Sequence, residues 1–212
     1  VAIKLVRRGM DSQEILRRFR RERQVLASLD HPNIALLIDG GSTPEGLPYL
    51  VMEYVEGTPI DQYCDEHKST ISERLHLFRS VCSAVQYAHR NLVVHRDIKA
   101  GNILVTADGV PKLLDFGIAK LLPGPDSDVE PHTRADMRPM TLDYASPEQI
   151  LGEPVNTATD VYSLGALLFK LLTGRMPFEA DGSRAALEHC ICEGEPPRPS
   201  AVALATGGGS VP

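Results

Sequence analysis

Asp97, Lys99, Asn102 and Asp115 have the types and spacing to take a proton from a hydroxyl while holding a hard cation beside it. A carboxylate within reach of a hydroxyl acts as a general base, and an amide oxygen with a second carboxylate is an oxygen donor set that suits Mg²⁺. The elements that must position these groups are legible around them. Ile103-Leu104-Val105 and Lys112-Leu113-Leu114 are short apolar runs joined through Asp108-Gly109, a strong turn signal, and are expected to form a β-hairpin. A hairpin brings its outer ends together, which sets Asn102, just before the first strand, beside Asp115, just after the second. Asp97 lies five residues before Asn102 on the loop leading into the hairpin, and Lys99 follows two residues on to hold negative charge.

The chain as a whole bounds what these groups can serve. Its 212 residues allow one large domain or two small lobes, and 42% hydrophobic content is in the globular range. A net charge of −6 argues against nucleic acid as the main partner. No apolar run approaches the about 18 residues of a membrane span, and the first residues do not resemble a secretory signal. Cys64, Cys82, Cys190 and Cys192 show no paired spacing of a disulfide framework, which points to a reducing compartment. His189-Cys190 with Cys192 suits no common zinc motif and reads as ordinary reduced thiols.

From Ser12 to Leu29 the pattern is helical, with Ile15, Phe19, Leu26 and Leu29 on one stripe. Glu22 falls in that stripe, and a carboxylate on a core-facing stripe needs a cation. Arg17, Arg18, Arg20, Arg21 and Arg23 form a largely solvated basic face. His31-Pro32 stops the helix. Two strands are expected around Ile34 to Asp39 and Leu47 to Met52, with Gly40 to Gly46 as a plain turn. A long helix is expected over Ile71 to Asn91, where Leu75, Phe78, Cys82, Val85 and His89 recur at steps of three and four behind a Thr70-x-x-Glu73 capping box. His89 reads as a packed core histidine, and Leu92-Val93-Val94 as a short strand leading to His95. Asp115 to Glu148 has the composition of a mobile loop. Asp160 to Gly165 opens a helix with Leu164, Leu167, Leu168, Leu171 and Leu172 on more than one face, hence a buried one. A last helical stretch runs from Ser183 to Cys192, and Ala201 to Pro212 reads as linker or flexible tail.

His95-Arg96-Asp97-Ile98-Lys99-Ala100-Gly101-Asn102, followed by Asp115-Phe116-Gly117, resembles the catalytic loop and metal-binding turn of eukaryotic-type serine/threonine protein kinases, in a style similar to the bacterial members. The resemblance covers nearly the whole chain. It implies an α+β, two-lobed fold: an N-lobe part over 1–53, a hinge over 54–57, a mainly helical C-lobe part over 58–200 and a tail over 201–212. It implies transfer of the ATP γ-phosphoryl group to Ser and Thr hydroxyls of protein substrates, with Mg²⁺. Asp97 would orient and deprotonate the hydroxyl, Lys99 and Lys4 neutralise phosphate charge, Glu22 pair with Lys4, and Asn102 and Asp115 hold the metal. Backbone groups of Glu53 and Val55 would hydrogen-bond adenine between apolar walls of Ala2, Met52 and Leu104. His95, Phe116 and Asp160 take structural places, with Asp160 accepting from the backbone at His95 and Arg96; a plain N-cap aspartate is the alternative.

Thr141 to Glu148 resembles the end of a kinase activation segment, with Ser146 for the usual alanine and Met140 for a common glycine. Arg96, together with Arg18, would take a phosphate on Thr133 or, second, on Ser127. Against the family pattern, a glycine-rich loop is expected ahead of Val1, and further helices with an arginine for Glu148 beyond Pro212. The chain is thus expected to be a piece of a longer kinase, inactive by itself without that loop. Protein substrates, no nucleic acid, no membrane segment in this stretch, a homodimer for autophosphorylation and a cytoplasmic kinase domain complete the expectations. The competing class is a catalytically silent pseudokinase, against which the presence of Lys4, Glu22, Asp97, Asn102 and Asp115 stands.

Overall fold

The computed structural model describes residues 1–5, 23–44, 46–116, 139–179 and 183–205. Glu22, Arg18, Ser127 and Thr133 lie outside the described residues. Three antiparallel strands, β1 (Ala2–Leu5), β2 (Leu37–Ser42) and β3 (Pro48–Met52), form a first sheet in the order β1-β3-β2. The register sets Ala2 opposite Met52 and Lys4 opposite Leu50. Residues 23–27 are helical, and Leu26 and Leu29 are buried. β2 begins and ends later than its hydrophobic run suggests, so that Gly40 and Gly41, expected in a turn, are strand residues. The cause is a close crossing. A Cβ on Gly40 would lie 2.8 Å from Arg23 Cδ and 2.9 Å from the Tyr49 carbonyl oxygen, and one on Gly41 would lie 2.8 Å from the Tyr49 hydroxyl.

The second sheet is β4 (Thr58–Pro59), β5 (Ile103–Val105) and β6 (Pro111–Leu113), again antiparallel. The expected hairpin is present, with its second strand one residue earlier, and it turns through Gly109, whose N–H donates to the Thr106 carbonyl at 2.9 Å. The further helices described are α1 (Ile60–Glu66), α2 (Ile71–Arg90), α3 (Pro147–Leu151), α4 (Thr157–Thr173), α5 (Arg184–Glu193) and α6 (Pro199–Ala205), of which α1 lies against β5 and α2 against β6. The expected boundary at 200 falls inside α6, so the stretch read as tail begins as helix; residues 206–212 lie outside the described residues.

The capping box of α2 forms: Thr70 Oγ1 accepts from the Glu73 N–H at 3.3 Å and Glu73 Oε2 accepts from the Thr70 N–H at 2.7 Å. Its buried face is Arg74, Leu77, Val81, Ala84, Val85 and Ala88, turned by one residue from the expected stripe, while Leu75 is exposed. One residue is about 100° of helix. Two things turn it. Ala84 and Ala88 are small at positions that lie buried in the core, and Arg74 spends its donors inside the protein on the carbonyls of Ser69, Leu171 and Cys64 and on Asp65. The expected strand at Leu92–Val94 is absent, because Leu92 takes φ 60° and is 93% exposed where the chain reverses.

Asn156 caps α4, its Oδ1 accepting from the Ala158 N–H at 2.7 Å, so Asp160 sits inside the first turn and is not the N-cap. Among the described residues an apolar cluster runs from Leu26, Ile34 and Leu50 through Ile98, Ile103 and Leu113 to Leu167 and Leu171, joining both sheets to the helices. Among the described residues no helix is long and apolar enough to cross a membrane.

Candidate active site

The loop after α2 is shaped by a carboxylate from another helix. Asp160 on α4 is 0% exposed, and a buried carboxylate is costly unless its oxygens are hydrogen-bonded. Its Oδ2 accepts from the His95 N–H at 2.8 Å, and its Oδ1 from the Arg96 N–H at 2.8 Å. His89 Nε2 lies 2.7 Å from Oδ2. His89 is therefore not merely a packed core histidine but a hydrogen-bond partner of Asp160. These bonds hold Arg96 at φ 68°, a conformation side-chain-bearing residues seldom adopt.

His95 is fully buried, and that burial pushes its imidazole below its ordinary pKa, leaving it neutral at pH 7. A neutral ring has one donor and one acceptor. Nε2 donates to the Leu114 carbonyl at 2.8 Å and Nδ1 accepts from the Asp97 N–H at 3.3 Å. The ring also lies 4.6 Å from that of Phe116, centroid to centroid. One side chain thus ties the loop of Asp97 to the strand end that carries Asp115.

Asp97 and Asn102 meet directly. Asn102 Nδ2 donates to the Asp97 carbonyl at 2.7 Å and to Asp97 Oδ2 at 2.8 Å, which uses both amide protons and leaves the amide oxygen as the acceptor on offer. Lys99 Nζ lies 3.0 Å from the same Asp97 oxygen. The Leu114 N–H donates to the Asn102 carbonyl at 2.8 Å, pinning the two outer ends of the hairpin together as its sequence predicts. Asp115 follows at φ 50°. Its Oδ1 is buried without a hydrogen bond and faces the Lys4 ammonium at 3.2 Å.

A buried carboxylate oxygen with spare capacity and a nearby amide oxygen fit a hard cation. Among the described residues no group of three or more His, Cys, Asp or Glu is placed to hold a metal, so Asn102 and Asp115 are two donors without a protein cage. Mg²⁺ keeps waters and phosphate oxygens for most of its positions, so two protein oxygens would be enough to hold it.

The side expected to meet a nucleotide lies on β3 and the segment after it. Met52 and Ala2 are cross-strand partners, and Leu104 is half-buried on β5. The Glu53 N–H donates to the Leu36 carbonyl at 2.9 Å. The Glu53 carbonyl and the Val55 N–H and carbonyl make no hydrogen bond among the described residues, so they form an open polar edge. A Cβ on Gly57 would lie 2.6 Å from the Val105 carbonyl oxygen, so only glycine lets this connection cross β5. Burial alone would raise the Glu53 carboxyl, but bonds from the Leu36 N–H and Lys112 outweigh it and hold the pKa below the usual range.

Beyond the undescribed stretch, Thr141 lies on a 3₁₀ turn, Pro139–Tyr144. Glu148 on α3 accepts a short hydrogen bond from the Thr159 hydroxyl. Burial would raise its pKa, yet bonds from Thr159, its own backbone and Ser146 keep it lowered. Gln149 Nε2 donates to the Arg96 carbonyl at 2.8 Å and its Oε1 accepts from the Ser146 N–H at 3.2 Å, clipping this segment to the catalytic loop. The structure therefore brings together Asp97, Lys99, Asn102, Asp115, Lys4, His95, Phe116 and Asp160. Sequence reasoning missed His89 and Gln149; the one trace of the first is a polar residue on an otherwise apolar stripe, and the second leaves none.

The family model of the protein kinase domain matches residues 1–199. The chain is 41% identical over 196 residues to serine/threonine-protein kinase PrkC of Bacillus subtilis (strain 168), covering 91% of this chain and 29% of that protein. It is 37% identical over 213 residues to a probable serine/threonine-protein kinase PknB of Bifidobacterium longum (strain NCC 2705), covering 95% and 30%. To the serine/threonine-protein kinase PknB of Mycobacterium tuberculosis (strain ATCC 25618 / H37Rv) it is 39% identical over 186 residues, covering 85% and 29%. The chain spans less than a third of the length of these curated relatives.

Proposed function

We propose that this chain, which belongs to the protein kinase domain family, supplies the catalytic centre of a protein serine/threonine kinase that moves the ATP γ-phosphoryl group to Ser and Thr hydroxyls of proteins in signalling. The observation that carries the reading is the fixed Asp97 carboxylate, held by Asn102 and Lys99 on a loop that Asp160 anchors from behind. Such a carboxylate can orient a hydroxyl and take its proton at Oδ, which is the part of phosphoryl transfer left to a side chain; the rest is positioning and charge stabilisation. Lys99 and Lys4 each carry an ammonium to where phosphate charge gathers. Adenine would lie between Ala2, Met52 and Leu104, with its polar edge on Glu53 and Val55. Asn102 and Asp115 would hold Mg²⁺, which when bound neutralises phosphate charge.

The test uses the full-length protein that contains this chain, with Mg²⁺, γ-labelled ATP and a generic protein substrate. Label should appear on Ser and Thr. Asp97→Asn should lower kcat by about 10³-fold while leaving ATP affinity within about twofold, the range expected for loss of a general base. Near-normal turnover in that variant would remove Asp97 from the role.

A further inference from the structure

Lys112 was assigned no part by its sequence, yet it lies at the crossing of three elements. On the hairpin, Ile103 faces Leu113 and Val105 faces Pro111, all four buried, whereas the remaining cross-strand pair, Leu104 and Lys112, is half-buried on the opposite face. Cross-strand partners share a face. Lys112 therefore stands beside the residue proposed as the floor under adenine. Its ammonium lies 3.0 Å from Glu53 Oε1 and donates to Oε2 at 3.1 Å. Glu53 is the residue whose carbonyl forms the open polar edge.

The same carboxylate accepts from the Leu36 N–H at 3.1 Å, and the segment around Leu36 is itself sewn to β6. The Leu113 N–H donates to the Asn33 carbonyl at 2.8 Å, the Ala35 N–H to the Leu113 carbonyl at 2.9 Å, and Asn33 Nδ2 to the Pro111 carbonyl at 2.8 Å. Residues 33–36 and β6 thus form one frame, and Glu53 attaches to it at two points. Among the described residues, only the Lys112 contact links the rim of the slot to its floor through side chains alone.

We infer that Lys112 is a positioning residue for the nucleotide: its ion pair with Glu53 fixes the polar rim at Glu53 and Val55 over the apolar floor at Leu104. This rests on the kinase reading above and names a residue that the reading does not use. The pair grips the base and not the phosphates. Its loss should weaken every ligand that carries adenine, including adenosine, while leaving the groups around Asp97 in place.

In the full-length protein, Lys112→Met should raise the KM for ATP by about tenfold and weaken adenosine inhibition by the same factor, the scale of one lost charge-assisted contact, with kcat within about twofold. Lys112→Arg, which keeps the charge, should restore both. Glu53→Gln, which keeps an acceptor for the Leu36 N–H but loses the ion pair, should weaken adenosine by a similar factor and guards against misfolding of the methionine variant. Adenosine affinity unchanged in both uncharged variants overturns the inference. So does a parallel fall of kcat and unfolding temperature without rescue by arginine, since that is a structural role. If the wild-type protein binds neither ATP nor adenosine, the kinase reading itself is what fails.

Discussion

The catalytic loop and the lysine strand solve the same problem in opposite ways. Asp97 is set by a buried frame, in which Asp160 accepts from the consecutive N–H groups of His95 and Arg96 and the His95 ring accepts from the next, that of Asp97. Lys4 stands on β1, where Ile3 and Leu5 are exposed, and its ion pair with Asp115 is partly open to water: the two side chains are 40% and 32% exposed, although the Asp115 oxygen that faces the ammonium is buried. A base that takes a proton must meet its hydroxyl within hydrogen-bond reach, so small displacements cost rate. An ammonium on a four-carbon stem only has to deliver charge and can follow its partner. Stiffness is concentrated where geometry decides the chemistry, and reach is used where charge does.

The contrast predicts unequal costs. Asp160→Ala strips the acceptor from a buried and a partly buried backbone N–H and from His89, and should cost about 3–5 kcal/mol of the about 5–15 kcal/mol that stabilise a domain. Denaturant titration of the full-length protein reads this, and a loss below about 1 kcal/mol would mean that the carboxylate does not hold the loop.

A smaller effect concerns pH. Burial lowers the pKa of folded His95 below the about 6.5 at which the unfolded chain takes up its proton. Above pH about 6.5 neither state is protonated there and the contribution is complete. As pH falls from about 6.5 toward the lowered folded value, only the unfolded chain gains the proton, so stability drops by up to about 1.4 kcal/mol per pH unit. His95→Gln should flatten that slope in unfolding free energy measured between pH 6.5 and 5. An unchanged slope would show that the loop opens enough to protonate the ring, and the stiff side of the contrast would be lost.

The smallest effect belongs to the open side. Lys4→Met should change unfolding free energy by less than about 1 kcal/mol, because solvent screens an exposed ion pair, although turnover falls. A stability loss of several kcal/mol would erase the difference between the two regions.

What could be read from the sequence was local. The Asp108-Gly109 turn between two apolar runs and the Thr70-x-x-Glu73 box both encode their partner within a few residues, and both formed. What could not be read depended on distant neighbours. Gly40 and Gly41 look like turn residues until Tyr49 is seen lying against them. The face of α2 turned because alanines and a buried arginine carry little weight in a hydrophobic stripe, yet decide how closely another element can approach. Lys112 reads as a plain strand lysine, since its meaning lies in Glu53, fifty-nine residues away. The ion pair expected between Lys4 and Glu22 involves a residue outside the described ones, and among the described residues Lys4 meets Asp115.

Asp160 reaches back 65 residues to His95, 64 to Arg96 and 71 to His89. Closing so long a loop costs little more free energy than closing a short one, but it must wait for the chain to exist. During synthesis the groups proposed to do the chemistry leave the ribosome well before the residue that gives them their shape. A nascent chain halted short of α4 would hold Asp97, Lys99, Asn102 and Asp115 and still lack a catalytic loop. The order of the sequence delays the active geometry until α4 has been made.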